Sequence, residues 1–482
     1  MNFSSLTGLP FLILLTGGLV LYMIARSWKA SQFVVGLMAN MICLGAIVSL
    51  VILTKQIQSY SQTALPIQLW GSLNQGGSFL LAKAWSVVLS IISMGLGMCI
   101  ISYISHSDSF IFTYKHVIPL ILIALAGVYG LLAAGDLFTV YLFSELLCIS
   151  ATGMIINEGG SENVFKAGIK YLFMGSTATL IMLLGLSLAY RDSGLLVLGL
   201  SQPGSTIWAR VGAACFLVGM GLKIGFVPLH GWLPDAYRHA PGAISSLLAG
   251  FISAVPIFIL PGICLLLGLE PIEIGVVLMV GSFINMFVGN FSALAQKNTK
   301  RVLAYSSIAY TGYLMFILGI GYIFDQSTAL AMTVFLFIGH GVMKSLAFLS
   351  LEQIELINEN DHKASIVTRA AFFISIAGLA SIPPLAGFTG KWLIILEALK
   401  TGHWATWIGV GILLLNTLIS LGYYLPLIWK VFARDSGTPL LSGDSAPVRS
   451  GLLVPLVILA LVVIWIGVYP TIWLRFTGLF GG

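Results

Sequence analysis

Long apolar runs separated by short polar connections fill the whole chain, and their length is the first constraint on its fold. A helix needs about 20 apolar residues to cross a bilayer. That window places fourteen spans, at about 7–25, 32–53, 80–104, 115–133, 138–157, 165–190, 206–228, 244–268, 272–295, 302–323, 329–351, 369–398, 404–431 and 451–474. The pattern predicts an all-α polytopic membrane protein embedded in a lipid bilayer. The first run lacks both a basic leader and a small-residue cleavage site, so it reads as a span and not a signal peptide. The longest polar connections are about 54–79 and 352–368. The second carries Glu352, Glu355, Glu359 and Asp361 against Lys363, an acidic run expected to be a solvated helix end, with docking to a partner subunit as the weaker reading.

Composition sharpens this picture. The 482 residues are 58% hydrophobic and 8% charged, with a mean hydropathy of +1.01; a soluble domain carries about 25% charged residues. No hydrophilic block is long enough for a separate soluble domain. The net charge of +6 is explained by loop charges, without nucleic acid. Fourteen of the 23 Lys and Arg follow odd-numbered spans, six fall on the opposite side, and Lys223, Lys344 and Lys391 lie inside spans. By the positive-inside rule this asymmetry predicts both termini outside. Trp28, Trp208, Trp404, Trp407, Trp429 and Trp473 fall near span ends, where interfacial aromatics belong. Cys43, Cys99, Cys148, Cys215 and Cys264 are scattered singly through apolar runs, without the spacing of a metal or iron–sulfur site. They read as small core residues, and no cofactor or metal is expected in this chain.

The candidate chemistry lies in the few ionisable residues within apolar runs. A charge at the bilayer centre costs about 2.5–3.5 kcal/mol or more and rarely sits there without a partner or a hydrated pocket. Lys223 lies in GLKIGFVPLHGWLPDAYRHAPGAISSLLAG, beside Pro228, His230 and Pro234. Broken backbone at membrane depth is tolerated only where protein or a water-lined cavity satisfies it. Glu145, in DLFTVYLFSELLCIS, is the obvious partner for Lys223. Each would alter the other's proton affinity, which is what a proton switch needs; a static ion pair between helices five and seven is the competing reading. His340 and Lys344 are four residues apart, hence on one helical face, and are expected to form either a relay or a packing pair. Lys391, in SIPPLAGFTGKW, repeats the setting of Lys223 beside a proline break.

The two breaks share a faint likeness, PLHGW at 228–232 and PLAGF at 384–388. Helix twelve is five places after helix seven, so the two run in opposite directions, as an inverted repeat requires. Other charges carry bland expectations. Glu397 and Lys400 form an interfacial helical pair, Asp235 and His239 belong to a connecting loop, and Asp136 caps helix five. His230 borders the break, where relay and loop-fixing roles stand even.

Taken together, DLFTVYLFSELL, the Lys223 segment, ALAQKNTKRVLAYSSIAYTGYL, GHGVMKSLAFL and SIPPLAGFTGKW resemble the antiporter-like membrane subunits of complex I (NADH-quinone oxidoreductase), energy-converting hydrogenases and Mrp-type sodium/proton antiporters. The likeness covers about residues 115–432. It implies fourteen helices with two inverted five-helix bundles: a leading segment at 1–114, bundles at 115–268 and 269–432, and a last helix within 433–482. It further implies a proton path through Glu145, Lys223, His340, Lys344 and Lys391. Implied partners are other antiporter-like and small hydrophobic membrane subunits and a peripheral redox arm with iron–sulfur proteins, in a bacterial or archaeal plasma membrane. Any redox centre or quinone site would sit on another subunit of the oxidoreductase.

Two departures qualify the resemblance. Family members usually carry Lys or His in helix eight, where SSLLAGFISAVPIF places Ala254, with Pro256 just beyond. The chain also ends soon after helix fourteen, without a lateral helix, which fits a middle place in a row of subunits. Three readings follow: a proton-translocating subunit of a redox-driven complex, a sodium/proton antiporter module, or a non-conducting scaffold.

Overall fold

The structure, a computed structural model, describes residues 7–27, 30–59, 64–70, 78–110, 113–157, 162–193, 206–266, 268–326, 328–359, 365–433 and 450–473. Trp28, Lys29, Asp361, Lys363, Arg434, Arg449, Arg475 and much of the 54–79 connection lie outside the described residues. The helices in the first half are α1 (Leu9–Ser27), α2 (Gln32–Ser59), α3 (Ala84–His106), α4 (Tyr114–Leu132), α5 (Leu137–Ile156), α6 (Glu162–Ser193), α7 (Ile207–Ile224) and α8 (Leu233–His239). There follow α9 (Gly242–Leu247), α10 (Leu260–Leu266), α11 (Pro271–Leu294), α12 (Thr299–Phe324) and α13 (Thr328–Glu359). The last are α14 (Ile366–Leu379), α15 (Ala386–Lys400), α16 (Trp404–Ala433) and α17 (Ser450–Val468).

Among the described residues, 13 helical segments are long and apolar enough to cross a membrane. The shorter α14, continued by α15, occupies the remaining predicted span. Apolar side chains such as Met23, Phe173, Leu180 and Leu418 point outward, as lipid-facing residues do. By contrast, the whole 18-residue apolar window of α13 is buried.

Three features depart from the hydropathy reading. First, an antiparallel hairpin pairs β1 (Ala64–Trp70) with β2 (Ser78–Lys83) where the sequence predicts a connection and the start of a span. Its second strand is held at the α4–α5 junction by Asp136, whose Oδ2 accepts from the Phe79 amide at 2.9 Å, while Oδ1 caps α5 through the Thr139 amide at 2.8 Å. Second, the predicted span 244–268 is not a regular α-helix throughout. After α9 comes a π-helical turn at Leu248–Ile252, then a 3₁₀ segment at Val255–Phe258 before α10. Pro256 has no N–H to give and its ring crowds the carbonyl four residues back, at Ile252. Third, Asp235 and His239 lie on α8, not in a loop.

The chain divides into two compact units, one made from Met1–Ala236 and Ile252–Val277, the other from Tyr237–Phe251 and Leu278–Leu479. In the first, α6 and α7 meet along a seam of small residues. A Cβ on Gly212 would lie 2.6 Å from the Gly185 carbonyl oxygen, so only glycine permits this approach. In the second, α17 packs on α13, α14 and α15.

Candidate functional site

Lys223 owes its position to the way α7 ends. Gly225, at φ 78°, turns the chain left-handed, and its amide and that of Phe226 donate to the Gly221 carbonyl at 3.0 and 2.9 Å. The Trp232 indole returns across the break to donate to the Leu222 carbonyl at 2.9 Å. Lys223 therefore occupies the last turn of a capped helix, where the helix dipole favours a cation. Its ammonium donates to the Ser144 carbonyl at 3.1 Å and lies 3.8 Å from Glu145 Oε2. That carboxylate oxygen is buried and has no hydrogen-bond partner, as is the Ser144 hydroxyl.

Ser144 and Lys223, but not Glu145, line a cavity of about 30 Å³, together with Cys148, Tyr171, Trp232, Ser253 and Pro256, among others. It has room for about two waters. Ser253 and Pro256 reach it from the irregular helix eight; Ala254, in the position where the resemblance leads one to expect a titratable side chain, does not line it. His230 lies in the 225–232 break and interacts with the Pro228 backbone; the cavity lining does not include it. Lys170 on α6 anchors the far side of the break, pairing with Asp235 at 2.5 Å and donating to the Gly231 carbonyl at 3.3 Å.

The second unit gathers His340, Lys344 and Lys391. Lys344, fully buried, donates to the Leu303 carbonyl and the Ser306 hydroxyl, each at 2.5 Å. His340 stacks on Tyr310 at 3.8 Å between ring centroids, with 14° between planes. Lys391 Nζ lies 4.6 Å from the centroid of the Tyr313 ring, and the two tyrosines meet edge to face at 5.7 Å. Ser306, Tyr310 and Tyr313 thus share one face of α12 and line up beside the three predicted residues. Their spacing of four and three residues was the one available signal, and serines and tyrosines on an apolar helix are too common for it to stand out.

Two expectations about acidic residues change. Glu352, read as part of a solvated run, is only 7% exposed, and its Oε1 accepts from the Gly242 amide at 2.8 Å at the start of α9. Glu397 does pair with Lys400 at 3.0 Å, but it is 1% exposed and accepts a further hydrogen bond from the Thr328 hydroxyl.

A family profile described as NADH:quinone oxidoreductase/Mrp antiporter, transmembrane, matches residues 134–419. The chain belongs to that family. Within it, the chain is 31% identical over 394 residues to NADH-quinone oxidoreductase subunit N of Desulfitobacterium hafniense, covering 73% of this chain and 75% of that protein. It is also 31% identical over 363 residues to subunit N of Desulforamulus reducens, covering 71% and 73% respectively. In fold it is similar to a chain of the Mrp complex from Dietzia sp. DQ12-45-1b, with a TM-score of 0.82, 21% identity and coverage of 100% and 97%. Respiratory complex I from Thermus thermophilus gives a TM-score of 0.74 at 23% identity, covering 97% and 98%. At those identities the likeness speaks for the fold alone.

Proposed function

We propose that this chain is the antiporter-like, proton-translocating subunit of a redox-driven membrane complex of the NADH-quinone oxidoreductase type. The relatives named subunit N support that assembly, and the Lys223–Glu145 pair, with Lys223 lining a cavity of about 30 Å³, is the observation that carries the mechanism. In the proposed path Glu145 and Lys223 form the input switch. Removing a proton from one leaves the other's charge uncompensated in a low-dielectric site, so their protonation states are coupled. His340 and Lys344 act as the relay and Lys391 as the exit group. His230 has its place at the break beside the input.

The chain holds no redox centre in this reading. Electrons run through iron–sulfur proteins of a peripheral arm, and neighbouring antiporter-like and small hydrophobic subunits flank it in the plasma membrane, with both termini outside. The sodium/proton antiporter alternative draws on the family profile, which names both, and on likeness of fold, whereas the relatives named subunit N favour the oxidoreductase.

The test uses the purified complex in proteoliposomes, measuring protons moved per electron. Lys223→Ala and Glu145→Gln are expected to lower proton transport at least about tenfold, equivalent to ~1.4 kcal/mol in a barrier, while the complex still assembles. Normal stoichiometry in both variants would sink the proposal. Mass spectrometry of the native complex checks the assembly: iron–sulfur partners are expected, and small hydrophobic partners alone would restore the antiporter reading.

A further inference from the structure

Glu352 is a buried carboxylate that the path above leaves unused. On α13, His340, Lys344, Phe348 and Glu352 recur every four residues, so they lie along one helical face. At the Glu352 end, its Oε1 meets the Gly242 amide in the first turn of α9. Further along α9 come Ser245 and Ser246, both 0% exposed, whose hydroxyls donate to the Tyr237 carbonyl at 2.9 Å and the Ala243 carbonyl at 2.7 Å. The Ser345 hydroxyl of α13, equally buried, donates to the Ser246 carbonyl at 3.3 Å. Its neighbour Lys344 donates to Ser306 on α12. Buried hydroxyls of α9 and α13 therefore lie along the helix seam between the carboxylate and the ammonium, hydrogen-bonded to backbone carbonyls and not to one another, in a place where apolar side chains would pack at lower desolvation cost.

The outer end of this seam reaches water. Lys300 on α12 donates to the Ala240 carbonyl at 3.3 Å, just before Gly242, and lies 3.6 Å from Glu355 Oε2. The Glu355 side chain is 44% exposed. A half-exposed ion pair thus stands where the buried carboxylate meets solvent, on the side that carries the Lys and Arg excess.

We infer that Glu352 is a proton-loading residue of the second unit, passing protons from the exposed end of α13 along the α9–α13 seam to Lys344. The inference rests on the reading of Lys344 as a path residue. A proton from water joins the Glu352 carboxylate, leaves it through water that bridges the Ser245, Ser246 and Ser345 hydroxyls as they turn from their carbonyl acceptors, and joins the Lys344 amine after Lys344 has passed its own proton on. Every hydroxyl gives up one proton as it gains another, and no bond to carbon changes. Such a route loads Lys344 without a titratable side chain at Ala254.

The alternative is that Glu352 only caps α9. Glu352→Gln separates the two roles, because its amide oxygen still accepts from Gly242 but cannot carry a proton. In the reconstituted complex the inference expects Glu352→Gln to lower proton transport about tenfold or more, and Glu352→Asp to recover most of it. Full transport in an assembled Glu352→Gln complex overturns it. If Glu352→Gln does not assemble, the double variant Ser245→Ala/Ser345→Ala leaves the cap in place and should show the same loss; unchanged transport there overturns the inference. Lys344→Ala is measured alongside. Normal transport in Lys344→Ala removes the underlying path, whereas loss in Lys344→Ala with normal Glu352→Gln removes only the role of Glu352.

Discussion

Lys391 is held differently from Lys223. Its ammonium faces the Tyr313 ring instead of a carboxylate. A desolvated cation–π contact contributes about 2 kcal/mol, enough to keep a cation at the site without fixing it as an ion pair would. A group that must release its proton is served by such a weaker hold. Tyr313→Phe, which keeps the ring face, is therefore expected to transport protons within about twofold of the wild type, and Tyr313→Leu to lose about tenfold or more, since ~1.4 kcal/mol is a tenfold change in rate. Equal transport by the Phe and Leu variants would remove the ring from the mechanism. Glu145, Lys223, His340, Lys344 and Lys391 were legible in the sequence because a charge inside an apolar run is rare and has few explanations. Tyr313, Tyr310 and Ser306 were not, because their significance lies in which neighbouring helix they face. Glu352 was misread for the same reason: the Gly242 amide that buries it lies 110 positions away along the chain.

At the scale of the helices, the interruptions matter more than the spans. Hydropathy predicts where α-helices cross, since the bilayer enforces a run length. The proline clusters at 228–234 and 383–384 also mark where helices stop. Hydropathy gave no warning of the irregular turn in helix eight or of the hairpin, whose causes are a single proline and hydrogen bonds to the distant α4–α5 junction. The end of α7 is the interruption that sets the site, and Gly225 sets that end. A Cβ there would impose a left-handed conformation on an L-residue, costing about 1–2 kcal/mol, and would meet Leu233 Cδ1 at 2.9 Å. Gly225→Ala should lower the thermal unfolding temperature of the purified subunit in detergent and slow transport with it. Gly231→Ala in the same break is the control, because an added methyl there meets nothing within 4 Å. Indistinguishable melting of the two variants would show that the left-handed cap does not hold the break.

For the whole molecule, orientation decides what the proposed path does, because the same chain of groups moves protons out or in according to which end faces the cell interior. The asymmetry of fourteen Lys and Arg against six argues that connections after odd-numbered spans are inside, since such charges are retained on the cytoplasmic face. Lys297, exposed between α11 and α12, would then face inward, and His403, exposed between α15 and α16, outward. The five native cysteines are buried or partly buried, so a single introduced thiol at either exposed position stands out from a weak background. His403→Cys should react with a membrane-impermeant maleimide in intact cells. Lys297→Cys should react only after permeabilisation. The reverse pattern would invert the chain, placing the Glu352 end of α13 outside and making its proposed loading role a release role instead. Labelling of both in intact cells would instead place the two loops on the same side, which an odd number of crossings between them forbids, and the fourteen-span count would have to give way.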